Sequence, residues 1–143
     1  MTVKAILDEK GRDVETISAT ETLGNAANLL ADRKIGAVVV VSEAGKIQGI
    51  LSERDIVRAV ARRKGDCLGD AVSTVMTAKV KTCTEANTVN DVMEIMTAGR
   101  FRHLPVAENG KLIGIISIGD VVKKRIEDVV READEIRNYI AAG

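Results

Sequence analysis

Two segments of the sequence place an aspartate three residues after a serine, with Ser52 and Asp55 in one and Ser117 and Asp120 in the other. A carboxylate in this position can accept hydrogen bonds from both hydroxyls of a ribose. The serine and the N–H groups of a helix start can bind phosphate. The same spacing is also a common helix cap, in which the serine oxygen accepts a backbone N–H. Residues 88–91 (Thr-Val-Asn-Asp) repeat the spacing and are predicted to be such a cap. The motif alone leaves both interpretations open.

Cationic side chains accompany the second motif, because Arg100, Arg102 and His103 precede it in the chain. Arginine binds phosphate through a forked pair of N–H donors, so these residues would supply the charge that a nucleotide needs. The alternative is a solvated basic rim without a ligand. Arg54, inside the first motif, either reaches across a cleft or faces solvent. The second motif has a glycine at the position of Arg54 and Pro105 in its wall, so it is expected to be the better site.

Catalytic and metal-binding patterns are missing from the sequence. His103 is the only side chain whose ordinary pKa suits acid–base chemistry near neutral pH, and no nucleophile elbow, Walker A loop or Rossmann glycine pattern is present. Cys67 and Cys83 are not in Cys-x-x-Cys spacing, and with one histidine they cannot complete a four-ligand zinc site in one chain. We therefore expect no enzymatic activity, no metal and two reduced, buried cysteines.

The two motifs lie in an internal repeat. The segment "GKIQGILSERDIV" aligns without a gap on "GKLIGIISIGDVV", and upstream "VETISATETL" aligns on "VKTCTEANTV". The repeats are predicted at residues 14–64 and 80–125. A C-terminal amphipathic helix is predicted at residues 126–141.

Each copy is predicted to form a strand, a helix, two strands and a second helix. From Leu23 and again from Val89, apolar residues recur at the i, i+3, i+4 and i+7 positions of one helix face. Residues 38–41 are all valine, which is typical of a strand covered on both faces. Asn109 and Gly110 favour a tight hairpin. A crossover followed by a hairpin gives a three-stranded mixed sheet per copy. We expect an α/β fold in which the two sheets pack with the helices around a shared core as one pseudo-symmetric module.

Composition limits the possible partners. Of the 143 residues, 45% are hydrophobic and 1% aromatic, so the core must be aliphatic. The 21 lysines and arginines balance 21 acidic residues, which argues against nucleic acid as a partner. No apolar run approaches the roughly 20 residues of a membrane span, and the start of the chain lacks a signal peptide. We therefore expect no membrane insertion and a cytoplasmic location.

The repeated pattern resembles a pair of CBS domains. The resemblance rests on "IGAVVVV" followed by "GKIQGILSERDIVRAV", and on "RFRHLPV" followed by "GKLIGIISIGDVVK", and it covers nearly the whole chain. It implies a disc-like module whose clefts bind adenosine-containing ligands such as AMP, ATP, NAD or S-adenosylmethionine. The proline often found after the first strand of such repeats is missing from both copies.

The resemblance also implies where the ligand lies. The adenine would rest near the first strand of the second copy and the start of its middle strand, at Lys81, Thr82, Cys83, Thr84 and Leu104. A homodimer and an unidentified regulated protein are further implications. The prediction is a regulatory adenine-nucleotide-binding module that passes ligand occupancy to a partner. The alternative is a ligand-free module for dimerisation and protein interaction.

The C-terminal segment has an apolar stripe with helical spacing, made of Ile126, Val129, Val130, Ala133, Ile136 and Ile140. Such a stripe needs a surface to bury against. Packing on the same chain and pairing with a second copy both remain open. Near the N-terminus, Val3, Ile6 and Leu7 offer a similar docking face.

Overall fold

The predicted repeat is visible in the order of the elements. A computed structural model describes residues 1–64 and 66–142, which form five α-helices and five strands. The helices are α1 (Val3–Lys10), α2 (Leu23–Arg33), α3 (Glu53–Arg63), α4 (Val89–Gly99) and α5 (Ile118–Ala142). The strands are β1 (Thr16–Ile17), β2 (Ala37–Val41), β3 (Ile47–Ser52), β4 (His103–Glu108) and β5 (Lys111–Ser117). Two short 3-10 turns, Asp66–Gly69 and Val72–Thr74, form part of the connector between the repeats.

The first repeat forms the three-stranded mixed sheet predicted for it. The strand order is β1-β2-β3, with β1 parallel and β3 antiparallel to β2. Val38, Val39 and Val40 in the central strand are fully buried. The valine run therefore forms the strand covered on both faces that its composition predicts.

The second sheet has two strands, β4 and β5, instead of the three predicted. The segment expected to be its third strand pairs at one residue only, where Cys83 forms a parallel bridge to Val106. Beyond this bridge the chain turns: the Asn87 N–H donates to the Thr84 carbonyl at 3.2 Å, and the side-chain oxygen of Asn87 accepts the Thr84 N–H at 2.8 Å. The β4–β5 turn is the predicted hairpin, with positive φ at both Asn109 and Gly110.

Each repeat is closed by a segment from outside it, and this replaces the shared core that the sequence analysis expects. The first cluster combines α2, β2 and β3 with Cys67 and Val72 of the connector. The second combines α4, β4 and β5 with the face of α1 formed by Val3, Ile6 and Leu7. Because α1 and the connector supply this cover, each sheet is buried without the other. The hairpins of the two repeats meet at a single bridge, between Lys46 and Lys111.

Helix α5 is continuous, so the predicted C-terminal helix is the distal part of the helix that follows β5. Its face toward the domain carries Val121, Lys124 and Asp128, which are all buried. The apolar stripe beyond them is exposed, including Ile126, Val129, Val130, Ile136 and Ile140. The stripe therefore does not pack on its own chain within the residues that the structure describes.

Candidate functional site

A cavity of about 510 Å³ opens between the two repeats, within the range of small-molecule sites. Its first wall comes from the first repeat, its second wall from the second repeat, and the connector closes one side. The residues that line it are Gly36, Ile50, Ser52, Glu53, Arg54, Asp55, Arg58, Thr77, Lys79, Val80, Lys81, Gly99, Arg100, Phe101, Arg102, His103 and Ile118.

The first Ser-x-x-Asp motif stands in this cavity at the start of α3. Ser52 and Asp55 form a capping box, in which the Asp55 N–H donates to the serine oxygen at 3.3 Å and the Ser52 N–H donates to Asp55 Oδ2 at 2.9 Å. The other carboxylate oxygen accepts no hydrogen bond from the described residues. A carboxylate has about four lone-pair sites. The cap therefore leaves Asp55 able to accept hydroxyl donors from a ligand.

The opposite wall is cationic. Arg100 ends α4 in the left-handed conformation, with φ of 56°, and its backbone N–H donates to the Met96 carbonyl. Two residues on, the Arg102 carbonyl accepts the N–H of Ile118 at 2.8 Å, which fixes this turn against the start of α5. In total, six lysine and arginine side chains line the cavity against two carboxylates, namely Arg54, Arg58, Lys79, Lys81, Arg100 and Arg102 against Glu53 and Asp55. Such an excess of positive charge suits an anionic ligand.

His103 lines the cavity, where the charges of Glu53 and Asp120 act on its imidazole. Burial lowers the pKa of its imidazole below the ordinary value. The charges of Glu53 and Asp120 raise this pKa, and those of Lys10 and Arg102 lower it. A neutral imidazole can accept one hydrogen bond and donate another, but it adds no charge to the cavity.

The structure brings half of the predicted site residues together. Ser52, Arg54, Asp55, Lys81, Arg100, Arg102 and His103 line the cavity. The other seven do not line it, namely Thr82, Cys83, Thr84, Leu104, Pro105, Ser117 and Asp120. Leu104 is fully buried in the second core, and burial raises the pKa of the Cys83 thiol to about 12.

The second Ser-x-x-Asp motif also forms a capping box, but its carboxylate has a further partner. The Ser117 N–H donates to Asp120 Oδ2 at 2.9 Å, and Nζ of Lys10 in α1 donates to the same oxygen at 2.7 Å. Burial alone would raise the pKa of Asp120. The hydrogen bonds from Lys10 and Ser117 outweigh it and lower the pKa below its ordinary value. A small pocket of about 90 Å³, formed between α1 and α5, adjoins this carboxylate.

Several cavity residues escaped the sequence analysis because the connector returns to the first repeat. Thr77 exchanges two backbone hydrogen bonds with Ile50, of 2.9 and 3.0 Å, and this brings Lys79 and Val80 beside α3. The alignment of the repeats left Thr77 and Lys79 in the connector and began the second copy at Val80. The alternation of lysine and apolar residues over 79–81 was the available signal for an extended, ligand-facing segment.

Metal-binding clusters and membrane-spanning helices are both absent from the part of the chain that the structure describes. Its histidine, cysteine and acidic side chains form no group of three or more that could hold a metal ion. None of its helices is long and apolar enough to cross a membrane.

Known proteins share both the sequence pattern and the fold. The family model for the CBS domain matches residues 3–62 and 72–127. The crystal structure of the CBS-domain containing protein ATU1752 from Agrobacterium tumefaciens is 53% identical, covers 87% of this chain and 99% of that one, and has a TM-score of 0.85. The mitochondrial CBS domain-containing protein CBSX3 of Arabidopsis thaliana is 29% identical over 99% of this chain and 73% of its own length. These matches confirm the predicted tandem repeat and its fold class.

Ligands are named for a structural relative of this chain. The CBS domain pair of protein MJ0100 was crystallised in complex with 5′-methylthioadenosine and S-adenosyl-L-methionine. It is 26% identical, covers 90% of this chain and 98% of that one, and has a TM-score of 0.80. The relative with this fold therefore binds adenosine compounds.

Proposed function

The chain belongs to the CBS-domain family, and from this premise we propose that it is a regulatory module that binds a phosphate-bearing adenine nucleotide between its repeats. One observation carries the proposal: Asp55 from the first repeat and Arg100 and Arg102 from the second line the same cavity. A nucleotide needs a hydroxyl acceptor and a cationic phosphate site, and this cavity supplies both.

Each part of a nucleotide has matching residues. The free oxygen of Asp55 accepts from the ribose hydroxyls, and the adenine lies against the apolar side chains of Ile50 and Val80. The phosphates extend toward Arg100 and Arg102, whose planar guanidinium groups bind phosphate oxygens in pairs. This arrangement makes the first motif the ribose site, supported by its place in the cavity.

The charge of the cavity favours one subset of adenosine compounds. Six cationic side chains against two carboxylates attract AMP, ATP or NAD, all of which carry negative phosphates. They repel the positive sulfonium of S-adenosylmethionine. We therefore expect ATP to bind more tightly than S-adenosylmethionine or adenosine, although S-adenosyl-L-methionine is a ligand of the MJ0100 domain pair.

Regulation follows from the position of the cavity. A ligand that contacts both repeats favours the arrangement in which the walls are close, and it shifts the equilibrium by its differential affinity for that arrangement. Helix α5 starts at the cavity with Ile118 and continues into the exposed apolar stripe. It therefore connects the ligand site with a surface that a partner protein could bind.

A homodimer is the second part of the proposal. The exposed apolar residues on the last helix of each repeat support it, with Val57 in α3 and Val122 in α5 at equivalent positions of the repeat. A symmetric pair of chains buries such a face against itself. The same exposed face also favours the alternative, a module that dimerises and binds a partner protein without any ligand.

A cytoplasmic location completes the proposal. It is supported by the two cysteines, which are both free and buried, as in proteins of reducing compartments.

Titration of the purified chain tests the proposed function. Isothermal calorimetry with ATP, AMP, NAD, adenosine and S-adenosylmethionine should give at least tenfold tighter binding of ATP than of adenosine. At 100 times the dissociation constant, ATP should add about 2.7 kcal/mol to the free energy of unfolding and raise the melting temperature by several degrees. Absence of binding by all five compounds at millimolar concentration would instead support the ligand-free alternative.

A further inference from the structure

The carboxylate of Asp120 is engaged by a lysine from the N-terminal helix. Lys10 Nζ lies 2.7 Å from Asp120 Oδ2 and 2.9 Å from the carbonyl oxygen of Ile115. Asp120 occupies the same place in the second repeat as Asp55 in the first. We infer that Lys10 is an internal latch, which holds this carboxylate and excludes a second nucleotide, so that the chain binds one ligand. This inference rests on the proposed function of the Asp55 cavity.

The latch is held by a helix with a fixed position. Leu7 of α1 is fully buried, and a Cβ added at Gly114 would stand 2.9 Å from its methyl groups, so α1 lies directly on β5. At the other end of α1, the Val3 N–H donates to the Asn87 carbonyl at 2.9 Å. Lys10 therefore projects from a packed helix, and its ammonium is held at a defined place.

The first repeat has a lysine at the equivalent position, but that lysine does not hold the aspartate. The connector covers Gly49 through Met76 as α1 covers Gly114 through Leu7, and Lys79 follows Met76 by three residues as Lys10 follows Leu7. Lys79 lines the cavity without a hydrogen bond or ion pair to Asp55 among the described residues. Asp55 forms no ion pair within the described chain, whereas Asp120 pairs with Lys10.

The space around the two aspartates agrees with this difference. The cavity at Asp55 is about 510 Å³, and the pocket between α1 and α5 that Lys10 and Asp120 line is about 90 Å³. A ligand at Asp120 would have to displace a charge-assisted hydrogen bond, replacing an ammonium donor with neutral hydroxyl donors, which bind a carboxylate less strongly.

The latch also joins α1 to the helix that bears the exposed apolar stripe. Glu9, beside the latch, accepts a hydrogen bond at 3.1 Å from Lys124, whose side chain is buried in α5. The contacts of Glu9 and Lys10 with charged side chains therefore both end on α5. Release of the latch would free α1 from α5 at one of these two contacts.

Calorimetric stoichiometry with ATP tests the latch. The wild-type chain should bind one ATP, and Lys10→Met, which keeps the aliphatic stem and removes the charge, should bind two. Lys10→Arg keeps a cation at Asp120 and should still bind one. Lys4→Met, which removes an exposed lysine of the same helix that pairs with Asp8, is the matched control and should also bind one.

Double variants assign the sites. Lys10→Met with Asp120→Asn should return to one ATP, and Lys10→Met with Asp55→Asn should keep one. The latch is overturned if Lys10→Met binds the same number as the wild type, and the Asp55 site still stands if that number is one. If the wild type binds none and Lys10→Met binds one, the latch stands and the Asp55 site fails. If neither binds ATP, both fail.

Discussion

The imidazole of His103 in the second repeat rests against the backbone of Gly36 in the first. A Cβ built on Gly36 would stand 3.0 Å from Cε1 and 3.1 Å from Nε2 of the ring. The Gly36 carbonyl in turn accepts the N–H of Glu53, the first residue of α3, at 2.9 Å. This contact joins the two walls of the cavity beside the Ser-x-x-Asp helix start.

A methyl group at Gly36 should therefore disturb both stability and binding. Gly36→Ala forces the His103 ring to move, at a cost of about 1 kcal/mol in the free energy of unfolding, and it shifts one wall of the cavity. We expect weaker ATP binding by calorimetry and a lower midpoint in urea. Gly69→Ala is the control, because a Cβ there meets no atom within 4 Å. Equal ATP affinities and equal urea midpoints in the two variants would contradict the proposed role of the contact between Gly36 and His103.

The free energy of unfolding should decrease as the pH is lowered through the range in which His103 titrates. Burial lowers its pKa below 6.5, with Lys10 and Arg102 acting in the same direction and Glu53 and Asp120 against it. The unfolded chain then binds more protons than the folded chain between the lowered pKa and 6.5. The free energy of unfolding should thus decline as the pH falls below about 6.5. Urea titrations across this range should show a smaller decline for His103→Gln, and parallel curves would refute the assignment.

Arg100 has two roles that one substitution separates. Its φ of 56° suits glycine, so Arg100→Gly should keep or raise the free energy of unfolding, by up to about 1 kcal/mol. Loss of its guanidinium should weaken ATP binding about tenfold or more, as expected for one hydrogen bond to a charged group. Lys34→Gly removes a cation from the same helix position in the first repeat, with φ of 55° and no part in the cavity. A tenfold loss of ATP affinity in Lys34→Gly would show that the net charge of the chain, and not the position of Arg100 in the cavity, causes the weaker binding.

The exposed stripe of α5 should hold two chains together. Ile126 is 58% exposed in the single chain. Ile126→Glu should convert a dimer of twice 15.3 kDa into a monomer without loss of helix content. Light scattering after gel filtration measures the mass, with Glu132→Ala on the same helix as the control. A monomeric wild-type chain would contradict the proposed homodimer. The apolar stripe of α5 would then be a surface for a different partner protein.

Local signals in the sequence predicted the elements well. The apolar periodicity from Leu23 and Val89 predicted α2 and α4, and Asn109-Gly110 predicted the β4–β5 hairpin. The cap interpretation of residues 88–91 is also confirmed, since Thr88 and Asp91 exchange both hydrogen bonds of a capping box. These features depend on neighbours a few residues apart, which a single sequence records.

Long-range relationships were beyond the sequence. The chain turns at residues 84–87 after a single bridge at Cys83, and the connector returns to Ile50, so the second sheet has two strands and the cavity includes Lys79 and Val80. The apolar periodicity and the motif spacing of the sequence do not show which repeat supplies each wall of the cavity.

The joint placement of Asp55 and the cationic side chains in one cavity is the central claim, and a comparison of two aspartates tests it most directly. Asp55 and Asp91 each complete a capping box, but Asp55 alone of the two lines the cavity. Asp55→Ala and Asp91→Ala should each cost about 1 kcal/mol of stability through the lost cap. Calorimetry with ATP should show at least a tenfold loss of affinity for Asp55→Ala and none for Asp91→Ala. Wild-type affinity in Asp55→Ala would contradict the account.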